Sequence, residues 1–121
     1  ITSVMPAFAN EINYANQVFW FEAEQLTNQL SKIAQDRHSF NLDLSNGDYY
    51  VTVFAKSSTP ITIEAEEQIC FHGAAIGDKQ IEAAFEVTVT DQQLNLNIIG
   101  SVESIDAIEV SSILKFDFGN Q

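Results

Sequence analysis

The chain contains few of the residues on which disulfide-linked or nucleic-acid-binding proteins rely. Its 121 residues include one cysteine, two histidines and five basic residues. A single cysteine excludes an internal disulfide, and we expect Cys70 to be buried because Ile69 and Phe71 flank it. Five Lys and Arg stand against 17 Asp and Glu, which gives a net charge of −12. Such a chain repels the phosphates of nucleic acid and of anionic lipids, so neither nucleic acid nor a membrane is expected as a partner.

Sequence motifs for catalysis are also missing. His38 and His72 lie in no spaced metal-binding motif or catalytic triad, and the chain has no Gly-x-Ser-x-Gly, Gly-Asp-Ser or phosphate-binding loop. We therefore predict that each histidine lies at the surface or caps an element, and that this chain is not an enzyme. No apolar run is long enough to cross a bilayer as a helix.

Apolar and polar residues alternate along most of the chain, as in half-buried strands. The clearest alternation covers residues 40–53 and is interrupted by Asn46-Gly47, which predicts two strands joined by a tight turn as a β-hairpin. Further strands are predicted at residues 61–65, 69–71, 81–89, 94–98 and 105–110. In the last of these strands, either Ala107 or Ile108 is the inward-pointing residue between Ile105 and Val110. The pattern predicts an all-β fold, an antiparallel β-sandwich or jelly roll.

The period of the pattern changes once, in residues 22–35. Apolar residues there are spaced three and four apart, which predicts a strand into Glu22 followed by one short helix that ends near Asp36. The alternative is a strand over residues 18–23 followed by a loop with one or two helical turns. The apolar positions are Ala23, Leu26, Leu30 and Ile33.

Both ends of the chain differ from the predicted sandwich. Residues 1–9 are uncharged and end in Ala-Phe-Ala, as at the cleavage site of a secretory signal peptide, so they are a signal remnant or a tail. The sandwich module is expected over residues 10–112. Residues 113–121 form either a final strand or the start of a following domain.

Several short motifs resemble the galactose-binding-like β-sandwich, with malectin-like domains and the N-terminal domain of rhamnogalacturonan acetylesterases as relatives. These motifs are NGDYYVTV at residues 46–53, FEVTVTD at 85–91 and IDAIEV at 105–110. The sequence FEAE at residues 21–24 resembles the Glu-Ala-Glu opening of family 6 and 35 carbohydrate-binding modules, and FDFG at 116–119 resembles the opening strand of the acetylesterases.

The resemblance implies a structural calcium ion held by Glu22, Glu24 and Asp106, which fall at the matching positions. Calcium takes six to eight oxygen ligands, and residues two apart on a strand face the same side, so Glu22 and Glu24 would share the ion. The alternative is that both glutamates belong to an acidic helix start and complement the helix dipole.

Four aromatic rings are candidates for stacking on the apolar face of a sugar. We expect Tyr50 to point outward because Tyr49 shares its side with Val51 and Val53, and the binding candidates are Trp20, Tyr50 and Tyr14. The sequence therefore predicts a secreted, non-catalytic carbohydrate-binding or accessory module. It would bind polysaccharide, for example a plant cell-wall glycan, and be tethered to a catalytic domain. The rival hypothesis is a structural or protein-docking domain with no glycan site.

Overall fold

In the computed structural model the described residues are 17–75, 77 and 79–113. Within them, nine strands and one helix alternate with short loops. Their bounds are β1 Val18–Glu22, α1 Ala23–Gln29, β2 Leu30–Ala34, β3 Arg37–Asp43, β4 Gly47–Lys56, β5 Ile61–Ala65, β6 Gln68–Gly73, β7 Ile81–Val89, β8 Gln93–Ile99 and β9 Ser104–Ile113. No helix in this part of the chain is long and apolar enough to cross a membrane.

The strands form two antiparallel sheets. Sheet I has the order β1-β9-β4-β7, and sheet II has the order β2-β3-β8-β5-β6. Their inner faces pack together because the inward side chains of each strand are apolar: β7, for example, buries every second residue from Ile81 to Val89. The rings of Phe21 in sheet I and Phe40 in sheet II meet edge to face, with centroids 5.4 Å apart. The predicted antiparallel β-sandwich with one short helix is confirmed.

The predicted hairpin at residues 40–53 is wrong in its pairing, although both strands exist. β3 pairs with β2 and β8, whereas β4 pairs with β7 and β9, so the chain crosses from one sheet to the other at Asn46-Gly47. Two hydrogen bonds tie this crossing to the loop between β7 and β8. The Gln92 backbone N–H donates to Asn46 Oδ1 at 2.8 Å, and the Leu44 N–H donates to the Gln92 carbonyl at 3.1 Å.

The predicted helix is correct at its start and too long at its end. It finishes at Gln29, and the chain continues as β2 instead of reaching Asp36. Leu26 is the buried residue of the helix, whereas Ile33 is 56% exposed. The ladder with β3 pairs one side of β2, so this tertiary pairing overrides the helical spacing of the apolar residues.

Three strands carry an extra residue that interrupts the pairing. The unpaired residues are Ile33 in β2, Cys70 in β6 and Asp106 in β9. The bulge at Asp106 decides the alternative left open by the sequence. It makes Ile108 the inward residue opposite Val53 and turns Ala107 to the outer face.

The predicted boundaries at the two ends fall mostly outside the described residues. Residues 1–9 lie wholly outside them. Ile113 is the last residue of β9, and residues 114–121 lie beyond the described range. The limits of 10–112 for the module therefore stay predictions.

Candidate functional site

The outward side chains of sheet I form what we name the aromatic face. Antiparallel register places them in rows that run across the four strands β1, β9, β4 and β7. One row is Glu22, Ala107, Phe54 and Glu82, the next is Trp20, Glu109, Thr52 and Ala84, and the third is Val18, Ser111, Tyr50 and Glu86.

Trp20 and Phe54 form a ring pair on this face. Their centroids are 5.8 Å apart and the planes are tilted by 54°. Ala107 lies between the strands that carry them and presents only a methyl group, so the rings can meet above β9. Ala107 and Thr52 are 5% and 8% exposed although both point outward. Trp20 itself remains 47% exposed, so its ring is braced on one side and open to solvent on the other.

Tyr50 lies on the same face and is 44% exposed. Its neighbour Tyr49 points into the core, as expected because it shares a side of the strand with Val51. The Tyr49 hydroxyl donates a hydrogen bond to the Ser45 carbonyl at 2.6 Å. Tyr50 is two strands and two residues away from Trp20, a separation of about 12 Å between Cα atoms from ordinary sheet spacings. Tyr14, the third predicted ligand residue, lies outside the described residues.

Carboxylates stand beside these rings. Glu109 is opposite Trp20, Glu82 is opposite Phe54, and Glu86 is opposite Tyr50. Within the described residues, no ion pair involves these three glutamates. The face therefore presents aromatic rings and negative charge together.

The geometry of Glu22, Glu24 and Asp106 differs from that of a shared strand. β1 ends at Glu22, Ala23 has the left-handed φ of 51°, and Glu24 lies in the first turn of α1. Glu22 and Glu24 therefore do not lie on one strand, and the strand geometry that would place both side chains on the same side does not apply to this pair. The Asp106 carboxylate is already engaged, because it accepts hydrogen bonds from Gln80 Nε2 and, at 2.9 Å, from Ser104 Oγ.

No three His, Cys, Asp or Glu side chains in the described part of the chain lie close enough together to hold a metal ion. Glu22, Glu24 and Asp106 are therefore not among groups that are already close together, and a calcium ion held by them stays a prediction. Glu22 is also the N-cap residue of α1 and makes no side-chain capping bond. The acidic helix start, the alternative reading of these glutamates, agrees with their positions.

The outward side chains of sheet II form a second surface, the amide face. It carries mainly amides, hydroxyls and scattered charges, including Ser31, Ser39, Asn41, Asp43, Thr62, Glu64, Gln93, Asn95 and Asn97. Gln93 Nε2 donates to Asp43 Oδ1 at 3.1 Å, and Asn41 Nδ2 donates to Ser39 Oγ at 3.3 Å. Part of this face, with Asn28 and Gln29 of α1, lines a shallow depression of about 380 Å³. The alternation of polar residues in β8 is the sequence signal for this surface.

The two histidines differ from each other. His72 lies on the amide face, where Nδ1 is 2.8 Å from the Thr62 hydroxyl, as predicted for a surface histidine. His38 contradicts the prediction, because it pairs with Ile98 on the inward side of β3. Its Nδ1 is buried without a hydrogen-bond partner among the described residues. Burial, and then the charge of Lys32, lowers the pKa of His38.

Cys70 is partly buried and packs against the core, and burial raises the pKa of its thiol. The flanking Ile69, used to predict that burial, is itself 68% exposed because the bulge at Cys70 lies beside it.

No known family model and no curated protein matches this chain, but solved structures share its fold. The CBM35 of Cellvibrio japonicus Abf62 matches with a TM-score of 0.58 and 9% identity, over 81% of this chain and 95% of that one. The Podospora anserina GH26-CBM35 β-(1,4)-mannanase matches with a TM-score of 0.59 and 14% identity, over 84% of this chain and 29% of the mannanase. The Bacillus subtilis protein YXIM matches with a TM-score of 0.57 and 18% identity, over 80% of this chain and 40% of that one.

The chain thus spans less than half of two of these structures and nearly all of the Cellvibrio domain. A family 35 carbohydrate-binding module from Clostridium thermocellum matches as well, with a TM-score of 0.50 and 12% identity, over 80% of this chain and 92% of the module. The chain has the galactose-binding-like β-sandwich fold of CBM35 carbohydrate-binding modules, as its sequence resemblance predicts.

Proposed function

We propose that this chain is a non-catalytic carbohydrate-binding module and that the aromatic face is its glycan site. The observation that carries the proposal is the exposed ring of Trp20, which Phe54 holds in place on the face that also bears Tyr50. A braced ring loses little conformational freedom when a ligand stacks on it. The fold that the chain shares with carbohydrate-binding modules supports the same function.

A sugar ring would lie with its apolar C–H face on the Trp20 indole. Its hydroxyls would then reach the neighbouring polar groups of the face, of which Glu109 is directly opposite Trp20. Tyr50, about 12 Å away, is placed to contact a second sugar unit of an extended chain. Both rings are exposed on an open sheet surface, so the proposed ligand is a polymer and the expected binding is weak.

The wider context of the module is part of the proposal. In the Podospora mannanase a CBM35 accompanies a GH26 unit in one chain. By analogy this chain would be tethered to a catalytic domain, act in polysaccharide degradation and work outside the cell. A plant cell-wall glycan is the proposed ligand source, with neutral or acetylated regions favoured over a polyanionic pectin backbone because the chain carries a net charge of −12.

Affinity gel electrophoresis across neutral and acidic polysaccharides tests this proposal. We expect a neutral polysaccharide to retard the protein and Trp20→Ala to weaken the interaction about 30-fold, the effect of losing a central aromatic contact worth about 2 kcal/mol. The matched control is Ile69→Ala, which removes an exposed apolar side chain from sheet II. Circular dichroism checks that both variants remain folded.

The rival hypothesis makes the aromatic face a docking surface for another domain. Val18, Trp20 and Tyr50 are each more than 40% exposed, which also suits a protein contact. An absence of retardation by every polysaccharide tested, with the protein folded, would contradict glycan binding and favour this rival.

Calcium at Glu22, Glu24 and Asp106 is a separate proposal, and it rests on the sequence resemblance alone. A bound ion would raise the melting temperature by mass action, and a chelator would lower it. Glu22→Gln should remove that shift, whereas Glu103→Gln, on the loop before β9, should preserve it. An unchanged melting temperature in calcium and in chelator would reject the site.

A further inference from the structure

The charge on the aromatic face is almost entirely of one sign. Four glutamates point outward from sheet I, namely Glu22, Glu82, Glu86 and Glu109. Among the outward residues of the described sheet I strands, Lys56 at the end of β4 is the one cation. None of the four glutamates forms an ion pair within the described residues. A ligand on this face therefore meets four carboxylates that no cation of the described strands pairs with.

The carboxylates are placed ring by ring. Cross-strand pairing sets Glu82 beside Phe54, Glu86 beside Tyr50 and Glu109 beside Trp20. Side chains directly opposite each other on adjacent antiparallel strands have Cβ atoms about 5 Å apart. An aromatic ring also presents a negative electrostatic face to whatever lies on it. Each ring and its carboxylate thus attract the same kind of ligand group, a cation.

Glu82 and Glu86 are four residues apart on the same side of β7, a spacing of about 13 Å along the strand. Glu109 lies two strands away from β7, on the row that includes Ala84. The negative charges are therefore distributed over the face instead of meeting at one point. This arrangement suits a polymer with repeated positive charges better than a single metal ion.

We infer that the aromatic face binds an amino-sugar polymer with free amines, of the glucosamine type. The pyranose rings stack on Trp20 and Tyr50, and the protonated amines lie against Glu82, Glu86 and Glu109. This inference rests on the proposed glycan-binding function of the face, and it replaces the neutral plant cell-wall glycan by an amino-sugar polymer as the substrate class. Charge complementarity excludes an anionic polymer, and a neutral one gains nothing from the unpaired carboxylates beyond hydrogen bonds.

Calorimetric titration with oligosaccharides of glucosamine and of N-acetylglucosamine tests the inference. The two ligands share a backbone, and acetylation removes the positive charge. We expect the free-amine oligosaccharide to bind about tenfold more tightly at low salt, and this preference to shrink as salt rises. Equal affinities for the two ligands would overturn the inference.

Two variants with the same net charge locate the effect. Glu82→Gln, Glu86→Gln and Glu109→Gln together remove the carboxylates of the aromatic face. The control combines Glu64→Gln, Glu67→Gln and Asp43→Asn, which lie on the amide face or in the turn between β5 and β6. The first variant should lose about tenfold in affinity for the amine ligand, and the control less than about threefold. Equal losses in both variants would overturn the inference, because they would show an effect of net charge alone.

The failures of the two proposals can be told apart. Binding of neutral polysaccharide that needs Trp20, without any preference for the free amine, keeps the proposed function and rejects the amino-sugar ligand. Binding of no saccharide rejects both. Oligolysine is the remaining probe: if it binds more tightly than the glucosamine oligosaccharide and displaces it, the face takes a basic peptide and the inference is wrong.

Discussion

Sheet I and sheet II bury similar inner faces and expose different outer ones. Sheet I lines the core mainly with Val, Ile and Ala and sheet II mainly with Leu, Ile and Ala, and each contributes a ring to the contact between Phe21 and Phe40. On the outside, sheet I carries rings and carboxylates, whereas sheet II carries amides and hydroxyls. The inner pattern is what folding requires. The outer pattern is free of that requirement, so it is where the two sheets can differ in function.

The two outer faces also contribute differently to stability. Trp20 and Phe54 cover Ala107 and Thr52, so sheet I is partly buried on both sides. On sheet II the corresponding central row of Ser39, Asn97 and Glu64 is only partly covered and its polar groups can reach water. A ring on sheet I therefore contributes to stability and also has a proposed binding role. Experiments have to separate these two contributions.

The largest expected effect separates the inner side of a strand from its outer side. Val87→Asp should lower the free energy of unfolding by about 4 kcal/mol, because Val87 is 7% exposed and pairs with buried Tyr49, so an unpaired carboxylate would enter the core. Glu86→Asp, one residue earlier and outward, should change it by less than about 0.5 kcal/mol. Urea denaturation measures both values. Similar losses in the two variants would contradict the assignment of the faces.

A smaller effect is expected from the rings of the aromatic face. A double-mutant cycle of Trp20→Ala and Phe54→Ala should give a coupling of about 1 kcal/mol in the free energy of unfolding, as for other aromatic pairs. Asn97→Ala on the amide face, paired with Ser39→Ala, should give a coupling close to zero. Equal coupling energies on the two faces would contradict the proposed difference in how the two faces contribute to stability.

The turn between β5 and β6 in sheet II provides a matched pair of substitutions. Glu66 and Glu67 both have left-handed φ values, 51° and 70°, in a two-residue turn that usually takes glycine or asparagine. Glu67→Gly should stabilise the protein by about 0.5 kcal/mol, the relief of left-handed strain less the greater entropy of unfolded glycine.

Glu66→Gly should instead destabilise by about 1 kcal/mol. The Asn95 N–H donates to Glu66 Oε2 at 2.8 Å, and the Glu66 N–H donates to the Asn95 carbonyl at 3.1 Å, so this side chain extends the ladder of sheet II. Thermal unfolding of both variants decides the point. The same sign of change in the two would show that the carboxylate contributes nothing.

The smallest effect concerns pH and the inner face of sheet II. Burial lowers the pKa of His38 below its usual 6.5, so between the folded and unfolded pKa values the unfolded chain binds a proton that the folded chain does not. The stability contributed by neutral His38 is therefore fully present above pH 6.5 and is lost as the pH falls below it. His38→Gln should reduce this dependence, and the difference between wild type and variant, followed by urea denaturation over that range, measures it. A difference that is constant with pH would contradict the lowered pKa.

Much of the strand content could be predicted from the sequence. The alternation of Ile81 to Val89 and of Leu94, Leu96 and Ile98 fixes which side of each strand is inward, because the pleat has a period of two whatever the partner strand is. The outward position of Tyr50 follows from the same rule. The exposed fraction of the Trp20 side chain could not be predicted in this way, because it depends on packing against Phe54, which lies 34 positions along the chain.

The sequence by itself determined the acidity of the chain, the positions of most strands and, for most of these, which side points inward. These properties depend on composition and on local periodicity. Tertiary structure alone decided which strands pair. Alternation around Asn46-Gly47 is the same for a hairpin and for a crossing between sheets, and only the long-range pairing of β3 with β8 and of β4 with β7 distinguishes them. Tertiary structure likewise ended the helix at Gln29 and brought rings and carboxylates from β1, β4, β7 and β9 onto one face, because register between distant strands is set by packing of the whole core and by no local signal.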